Sequence, residues 1–242
     1  MMDIIGYPVL VFVLSCVGLA FSAWLGVLLS RGQRTVEVEV HEDYGVVQAA
    51  TLTLLGLIAG FTFSMALTRY DQRKNYEEAE ANAIGTEYLR AGFLPAPDTT
   101  KVRELLRNYL EQRILFYETR DEHQLSQIDA QTAKLQAELW SAVQAPAVAQ
   151  PTPVIALTVS GMNDVLNSQG YTQAAWWNRI PVAAWGLMTA IALCAVALVG
   201  YGTREPKAES TLLLILPLVL SLAFFLIADI DSPRQGLIQV KP

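Results

Sequence analysis

The stretch LLGLIAGFTFSMALTRYDQR, residues 54–73, decides the architecture of this 242-residue chain. Its apolar part begins upstream, at about Val46, and carries no charged side chain until Arg69. The hydrocarbon core of a bilayer is about 30 Å thick and a helix rises about 1.5 Å per residue, so about 20 apolar residues cross it. The stretch therefore predicts a transmembrane helix that ends at a charged boundary.

Three other segments have the same apolar character, at residues 5–30, 180–201 and 211–228. The first is too long for the core of a signal peptide and has no basic residue before it, which favours a retained span. Pro217 in the last segment is tolerated in a helix bundle, because neighbouring groups can bond the freed carbonyl. The sequence therefore predicts an all-α membrane protein with four transmembrane helices.

Short polar connections join these spans into two hairpins, at residues 31–45 and 202–209. The first connection contains TVEVEVHE, residues 35–42, whose strict alternation of apolar and polar side chains predicts a short strand. The interval between the second and third spans is much longer and polar. We therefore divide the chain into residues 1–69 with two spans, a cytosolic helical bundle at 70–178, and residues 179–242 with two spans and a short tail.

The long interval has the periodicity of several helices. Apolar side chains recur at helical spacing over residues 102–117 and 125–139. The prolines at 95–98 predict a turn, with Asp98 as the N-cap of the next helix. Residues 145–153 are rich in Ala and Pro and predict a linker, after which Thr152 and Pro153 begin a helix that Gly170 ends.

Basic residues beside the spans predict the orientation. With four spans, the long interval and both termini share one side of the membrane. That side has six basic residues near the membrane: Arg69, Arg73, Lys74, Arg179, Arg234 and Lys241. The opposite side has four: Arg31, Arg34, Arg204 and Lys207. Because cytoplasmic loops carry the excess of Lys and Arg, we expect a multi-pass protein of the cell inner membrane with that interval and both termini in the cytoplasm.

Composition and motifs exclude several other functions. The net charge of −6 and the lack of a basic cluster argue against nucleic-acid binding, so membrane lipid is the expected surrounding. Gly-rich phosphate loops, nucleophile elbows and HExxH are absent from the sequence, and we predict no enzyme and no cofactor. The acidic run Glu77-Glu78-Ala79-Glu80 is typical of a solvated helix face. Cys16 and Cys194 lie in apolar segments and predict packing, since no metal or redox spacing accompanies them.

The second span offers two interpretations. Thr53, Leu57 and Phe61 are spaced by four and share one face of the helix. If several copies surrounded an axis, each position would form a ring, and a narrow apolar ring gates a pore by dewetting. Gly56 and Gly60 form a small-xxx-small pair that permits close contact between helices. The simpler interpretation is that both sets of residues only pack the spans together.

The chain resembles the bestrophin-like family of bacterial and plant membrane proteins, distant relatives of the bestrophin anion channels. The resemblance covers nearly the whole chain, and the following pieces carry it, in chain order: GFTFSMALTRYDQR, EEAEANAIGTEYLRAGFLP, NDVLNS, NRIP and DIDSPRQGLIQV. It implies four spans, a large cytosolic helical region between the second and third, and a homo-oligomer, a pentamer, around a pore for small inorganic ions.

The resemblance also assigns positions in the neck of that pore. Bestrophins place a Phe directly after a Gly, eight residues before an Arg, as Gly60, Phe61 and Arg69 stand here. Leu57 and Thr53 then form the next two rings, and Thr53 departs from the apolar pattern and makes its ring wetter. The boundary motif, in which bestrophins carry a Trp pair, reads Arg69, Tyr70, Asp71 and Arg73 in this chain.

The segment after the fourth span lies where calcium-gated bestrophins carry an acidic calcium clasp. Asp229 and Asp231 are weak metal candidates, because two carboxylates are far fewer than the six to eight oxygens that calcium takes. We therefore predict no metal site and interpret the two residues as the polar end of a membrane helix. The expected function is an oligomeric ion channel that favours anions; the alternative is a non-conducting scaffold whose cytosolic helices bind a partner protein.

Overall fold

The computed structural model describes residues 6–30, 38–203 and 210–240, and these residues are helical without any strand. The α-helices and one 3-10 turn follow in this order: α1 Pro8–Ser30, α2 Val38–Arg90, the 3-10 turn Ala91–Phe93, α3 Ala96–Glu118, α4 Glu122–Ala149, α5 Pro153–Trp177, α6 Val182–Gly202 and α7 Ser210–Asp231. The predicted all-α class is confirmed over the described residues.

Four helical stretches are long and apolar enough to cross a membrane. They are Pro8–Ser30, Tyr44–Phe93, Pro153–Gly202 and Leu213–Asp231. Each overlaps one of the four predicted spans over most of its length, and the spans are therefore confirmed by length and composition. The described residues also divide into two compact units. The membrane unit comprises the residues up to Arg69 and from Arg179 to Ile238, and the middle unit comprises Tyr70–Asn178 with Gln239 and Val240.

In the membrane unit, α1 and α6 cross at a point where only glycine fits. A Cβ built on Gly26 would overlap the carbonyl oxygen of Ala197, and one built on Gly200 would overlap that of Ala23. Close approach through small residues is the usual way in which membrane helices gain packing contacts. Ser22 adds a hydrogen bond from its hydroxyl to the carbonyl of Leu193, 2.7 Å away.

The middle unit has a core of apolar side chains from several helices. One cluster of buried residues comprises Ile84, Ala91, Leu94, Val102, Leu106, Tyr109, Leu135, Leu139, Ala142, Val143, Ile155, Met162 and Val165. The helical periodicity predicted for α3 and α4 is confirmed, although Leu110 and Ile114 remain exposed.

A buried ionic network joins three helices of the middle unit. Glu80 of α2 accepts hydrogen bonds from Arg113 Nε at 2.5 Å, Tyr117 Oη at 2.9 Å and Thr172 Oγ1 at 3.0 Å. The side chains of Glu80 and Arg113 are each 2% exposed. The prediction of a solvated face is therefore wrong for Glu80, because Ile84, one turn later on the same side of α2, belongs to the core.

Several predicted boundaries are also wrong. Residues 38–42 of the predicted strand lie in α2, and residues 35–37 lie outside the described residues. Helix α3 begins at Ala96, so Asp98 lies within its first turn, where prolines fit well because they need no donor. The predicted linker is mostly helical: α4 continues to Ala149 through a buried Pro146.

The start of α5 was predicted correctly and its end was not. Thr152 caps the helix by accepting a hydrogen bond from the backbone N–H of Ile155, at 3.2 Å. Gly170 does not end α5, which continues to Trp177. A glycine inside a helix costs about 1 kcal/mol relative to alanine, and buried Thr172 and Trp176 beyond it hold the last turns in place.

Candidate pore-lining face of the second span

The second span has one narrow buried face. Leu55, Thr62 and Ala66 are buried, and their spacing of seven and four places them on one side of α2. At about 100° per residue, the centre of the Thr53, Leu57 and Phe61 stripe lies about 160° around the helix from them. The predicted pore face is thus nearly opposite the face that packs.

The exposure of single side chains agrees with this geometry. Leu55 is 1% exposed, whereas Leu57 is 53% and Phe61 is 65% exposed. Thr53 is also exposed. The other described spans of the same chain therefore leave this face uncovered.

The uncovered face of α2 is more polar than the uncovered faces of α1 and α7. It includes Gly60, Ser64 and Thr68 along with the stripe. By contrast, the large exposed side chains of α7 are all Leu, Ile or Val: Leu214, Ile215, Leu218, Val219, Leu222 and Leu226. Those of α1 are apolar or aromatic as well.

The hydroxyl groups on this face have partners on their own helix. Thr53 Oγ1 donates to the carbonyl of Ala49 at 2.8 Å, and Thr68 Oγ1 donates to that of Ser64 at 2.9 Å. Such back-bonding satisfies the proton inside a membrane helix and leaves the oxygen able to accept a further hydrogen bond.

The two glycines predicted to pack helices stand open. No atom beyond the immediate helix lies within 4 Å of a Cβ built on Gly56 or Gly60. Within the chain, close packing is instead provided by Gly26 and Gly200, which the sequence analysis did not single out. A packing role for Gly56 and Gly60 stays a prediction about contacts with another copy.

The residues of the predicted boundary motif do not form one cluster. Arg69 is partly buried, and its Nη1 has no hydrogen-bond partner in the described part of the chain. Tyr70 is partly exposed and Asp71 is exposed. Arg73 is 1% exposed and is engaged by a partner.

Asp229 and Asp231 accept hydrogen bonds from backbone N–H groups of the membrane unit. Asp229 accepts hydrogen bonds from the N–H groups of Leu237, at 2.6 Å, and Ile238, at 2.9 Å. Asp231 accepts from the N–H of Ile180 at 3.1 and 3.2 Å. These bonds fix the segment after α7 and the residues just before α6. Among the described residues, no group of three or more His, Cys, Asp or Glu side chains is placed to hold a metal ion.

Four apolar helices and an all-helical middle unit define a polytopic helical membrane protein. The sequence model of the Bestrophin-like domain family matches residues 20–242, and the chain belongs to that family. The resemblance predicted from the sequence is thus confirmed. No curated protein matches the sequence at a significant level.

Solved structures of similar fold include two mutants of a bacterial bestrophin homolog from Klebsiella pneumoniae. Their TM-scores are 0.65 and 0.62, at 11% sequence identity, with 96% of this chain and 92% of that chain covered in each case. A further crystal structure, described as a membrane protein, has a TM-score of 0.61 at 12% identity and the same coverage. At such low identity the likeness shows a shared fold.

Proposed function

We propose that the protein is a homo-oligomeric ion channel, selective for anions, whose neck is lined by Thr53, Leu57 and Phe61 of α2. One observation carries the proposal: this face of α2 is exposed in the single chain, while the opposite face is buried. A scaffold in which the second span merely packs against its own bundle has no need of an uncovered face that bears hydroxyl groups.

Rings of these side chains account for conduction and for its control. Around a central axis, Phe61 and Leu57 give apolar rings that exclude water when narrow, and Thr53 gives a wetter ring. The edge of an aromatic ring carries positive partial charge and can face a passing anion. The resemblance to anion channels points to the same class of ion.

The exposed faces of the spans also suggest how copies assemble. A closed ring of identical subunits needs two different faces on each copy, because its contacts run head to tail. One is offered by α2 with Gly56 and Gly60. The second is offered by α6, whose exposed side bears small residues: Ala183, Gly186, Ala190 and Cys194. Small residues allow close helix contact, whereas the large apolar faces of α1 and α7 suit lipid. The family resemblance favours a pentamer.

The orientation follows the basic flanks. We place the middle region and both termini in the cytoplasm and the spans in the cell inner membrane. Trp177, at the end of α5 and next to the third span, is 75% exposed. An exposed Trp beside a basic residue such as Arg179 is typical of a membrane–water interface.

Replacement of Phe61 by alanine tests the proposal. We expect Phe61→Ala to raise halide efflux from liposomes, because shrinking the ring widens the constriction and favours a wetted path. Phe21→Ala is the matched control, since Phe21 is 59% exposed on the lipid-suited face of α1. Its flux should equal that of wild type.

Two further readouts on the same preparations separate the parts of the proposal. Reversal potentials in a potassium chloride gradient should move toward the chloride equilibrium potential. Movement toward the potassium equilibrium potential would contradict the anion selectivity but would still show that the protein forms a pore. Particle projections should show a ring with a central hole. Absence of flux from wild type and Phe61→Ala alike, with monomers or dimers in projection, would favour the scaffold.

A further inference from the structure

A second acidic residue of α2 is buried in the middle unit without hydrogen-bond partners. Glu87 is 0% exposed, and neither carboxylate oxygen has a partner among the described residues. Glu80, seven residues earlier, lies in the same unit and receives hydrogen bonds from three side chains. Burying a carboxylate without donors strongly disfavours its charged form.

Helix α5 is shaped to receive this carboxyl group. A Cβ built on Gly161 would overlap Glu87 Oε2 and crowd the guanidinium of Arg90. Thr158, one turn earlier on α5, donates a hydrogen bond to the carbonyl of Arg90 at 3.0 Å and holds the two helices in register. Glu87 and Arg90 therefore lie directly against the backbone of α5.

Arg90 has a second carboxylate within reach. Its Nη1 lies 4.0 Å from Asp164 Oδ2 of α5, in a pair that is partly open to solvent. Arg90 thus stands between a buried carboxyl group on its own helix and an exposed carboxylate on the facing helix. While the carboxyl group of Glu87 is neutral, Arg90 is attracted to Asp164; once Glu87 is ionised, its attraction for Arg90 is the stronger, because the effective dielectric constant is lower at a buried site.

In the described part of the chain, Arg90 and Asp164 are the charged groups that act on Glu87. The cations of α3 nearest to this end of α2, Arg103 and Arg107, lie over the ring of Tyr88, at 5.0 and 5.6 Å from its centroid. The 3-10 turn Ala91–Phe93 has no ionisable side chain, and the α4 side chains in the core cluster are apolar.

We propose that Glu87, Arg90 and Asp164 form a proton-controlled contact between α2 and α5. Below its transition, Glu87 is neutral and Arg90 pairs with Asp164. When Glu87 releases its proton to water, the new carboxylate draws Arg90 away from Asp164 and leaves a charge inside the α2–α5 contact. The contact then weakens, and the middle unit loses stability.

The electrostatics give the direction and the pH window. Burial raises the pKa of Glu87 from its ordinary 4.5 to about 8; the charge of Arg90 opposes the rise and that of Asp164 adds to it. Because the folded state holds this proton more tightly than the unfolded state, the stabilisation is complete below pH 4.5. It is lost as the pH rises to about 8. Within that window the unfolding equilibrium shifts by up to about tenfold per pH unit.

The experiment compares melting temperatures of the full-length protein in detergent micelles between pH 5 and 9.5. Glu87→Gln mimics the neutral carboxyl group, so its melting temperature should increasingly exceed that of wild type as the pH rises, with a plateau above about pH 9. Glu104→Gln, an exposed residue of α3, is the matched control and should follow wild type. Parallel curves for wild type and Glu87→Gln would overturn the proposal.

Two measurements keep the test decisive if Glu87→Gln does not fold. The infrared C=O band of a protonated carboxylic acid should be present in wild type at pH 6 and absent at pH 9.5; its absence at both values would overturn the proposal. Asp164→Asn removes the competitor for Arg90 and should move the transition to lower pH, because Arg90 then stabilises ionised Glu87. An unchanged or higher midpoint would show that Arg90 does not exchange partners.

Discussion

Removing the charge of Glu80 should destabilise the middle unit more than any change at a surface carboxylate. Glu80→Gln keeps the shape of the side chain but leaves the guanidinium of Arg113 buried without its counter-ion. Both side chains are 2% exposed, and breaking one partner of a buried pair costs about 3–5 kcal/mol. Burial and the charge of Glu80 also raise the pKa of Tyr117 well above its usual range, so its hydroxyl stays a donor.

A double replacement identifies the source of that loss. Arg113→Met should cost as much as Glu80→Gln, since it leaves the buried carboxyl group of Glu80 without its counter-ion. With Glu80→Met and Arg113→Met combined, no charge is left uncompensated. The remaining cost is that of the orphaned Tyr117 and Thr172 hydroxyls, about 1–3 kcal/mol each. The double variant should therefore lose clearly less than the sum of the single variants Glu80→Met and Arg113→Met.

The assay is thermal or denaturant unfolding in detergent, followed by tryptophan fluorescence. Trp176 is a suitable probe, because its ring lies 5.2 Å from that of Phe116 and 5.6 Å from that of Tyr117. Glu78→Gln is the control: Glu78 is exposed and pairs with Lys74 at 4.0 Å, which is worth about 0.2–0.5 kcal/mol. If Glu80→Gln unfolds at the same temperature as Glu78→Gln, the buried network does not stabilise the unit as argued.

Gly200→Val should lower the folded yield and the melting temperature sharply, because the added Cβ overlaps a backbone carbonyl of α1. Gly186→Val is the control: Gly186 lies on the open side of α6, so this variant should leave the melting temperature of the dissociated subunit unchanged. Equal melting temperatures would contradict the close crossing of α1 and α6. Cysteine introduced at exposed Ser126, with Cys16 and Cys194 replaced, should react with a membrane-impermeant reagent only after cell lysis. Labelling of intact cells would reverse the proposed orientation.

The four spans, and the residues that share one face of α2, were predictable because both depend on local sequence. An uncharged segment of about 20 residues is sufficient to predict a crossing, and a spacing of four assigns residues to one face. The α1–α6 contact was not predicted, since several small-residue pairs compete and local sequence does not say which helix approaches. Ser22 and Gly26 are four apart, as are Gly56 and Gly60, but only the first pair lies at a close crossing.

The prediction of a solvated face for the acidic run at residues 77–80 considered too short a stretch of sequence. Arg73, Glu80 and Glu87 are separated by seven residues each and so share a face of α2 with Ile84. All four are buried in the middle unit. The clustering of glutamates at 77–80 suggested solvent exposure, whereas the heptad spacing was the signal that marked Glu80 and Glu87 as different from their neighbours.

Over residues 38–42, the predicted strand is wrong for a physical reason that the alternation of side chains does not show. A lone strand has no partner for its backbone N–H and C=O groups, and two-stranded hairpins are only marginally stable in water. The described residues offer no other strand. From Val38 onward, helix formation satisfies the backbone locally and continues directly into the second span.

Polarity rather than hydrophobicity separates the exposed faces of the spans. In a soluble protein an exposed apolar stripe marks a contact, but a membrane offers apolar solvent to every outward face, so apolar side chains there carry little information. A hydroxyl-bearing residue or a glycine on an outward face is more informative, because contact with lipid alone would allow a leucine at that position. Helix α7 exposes leucine, isoleucine and valine, whereas α2 exposes Thr53, Gly60, Ser64 and Thr68 beside Leu57 and Phe61. That contrast supports turning this face of α2 toward other copies and an axis, and it favours a pore over a scaffold.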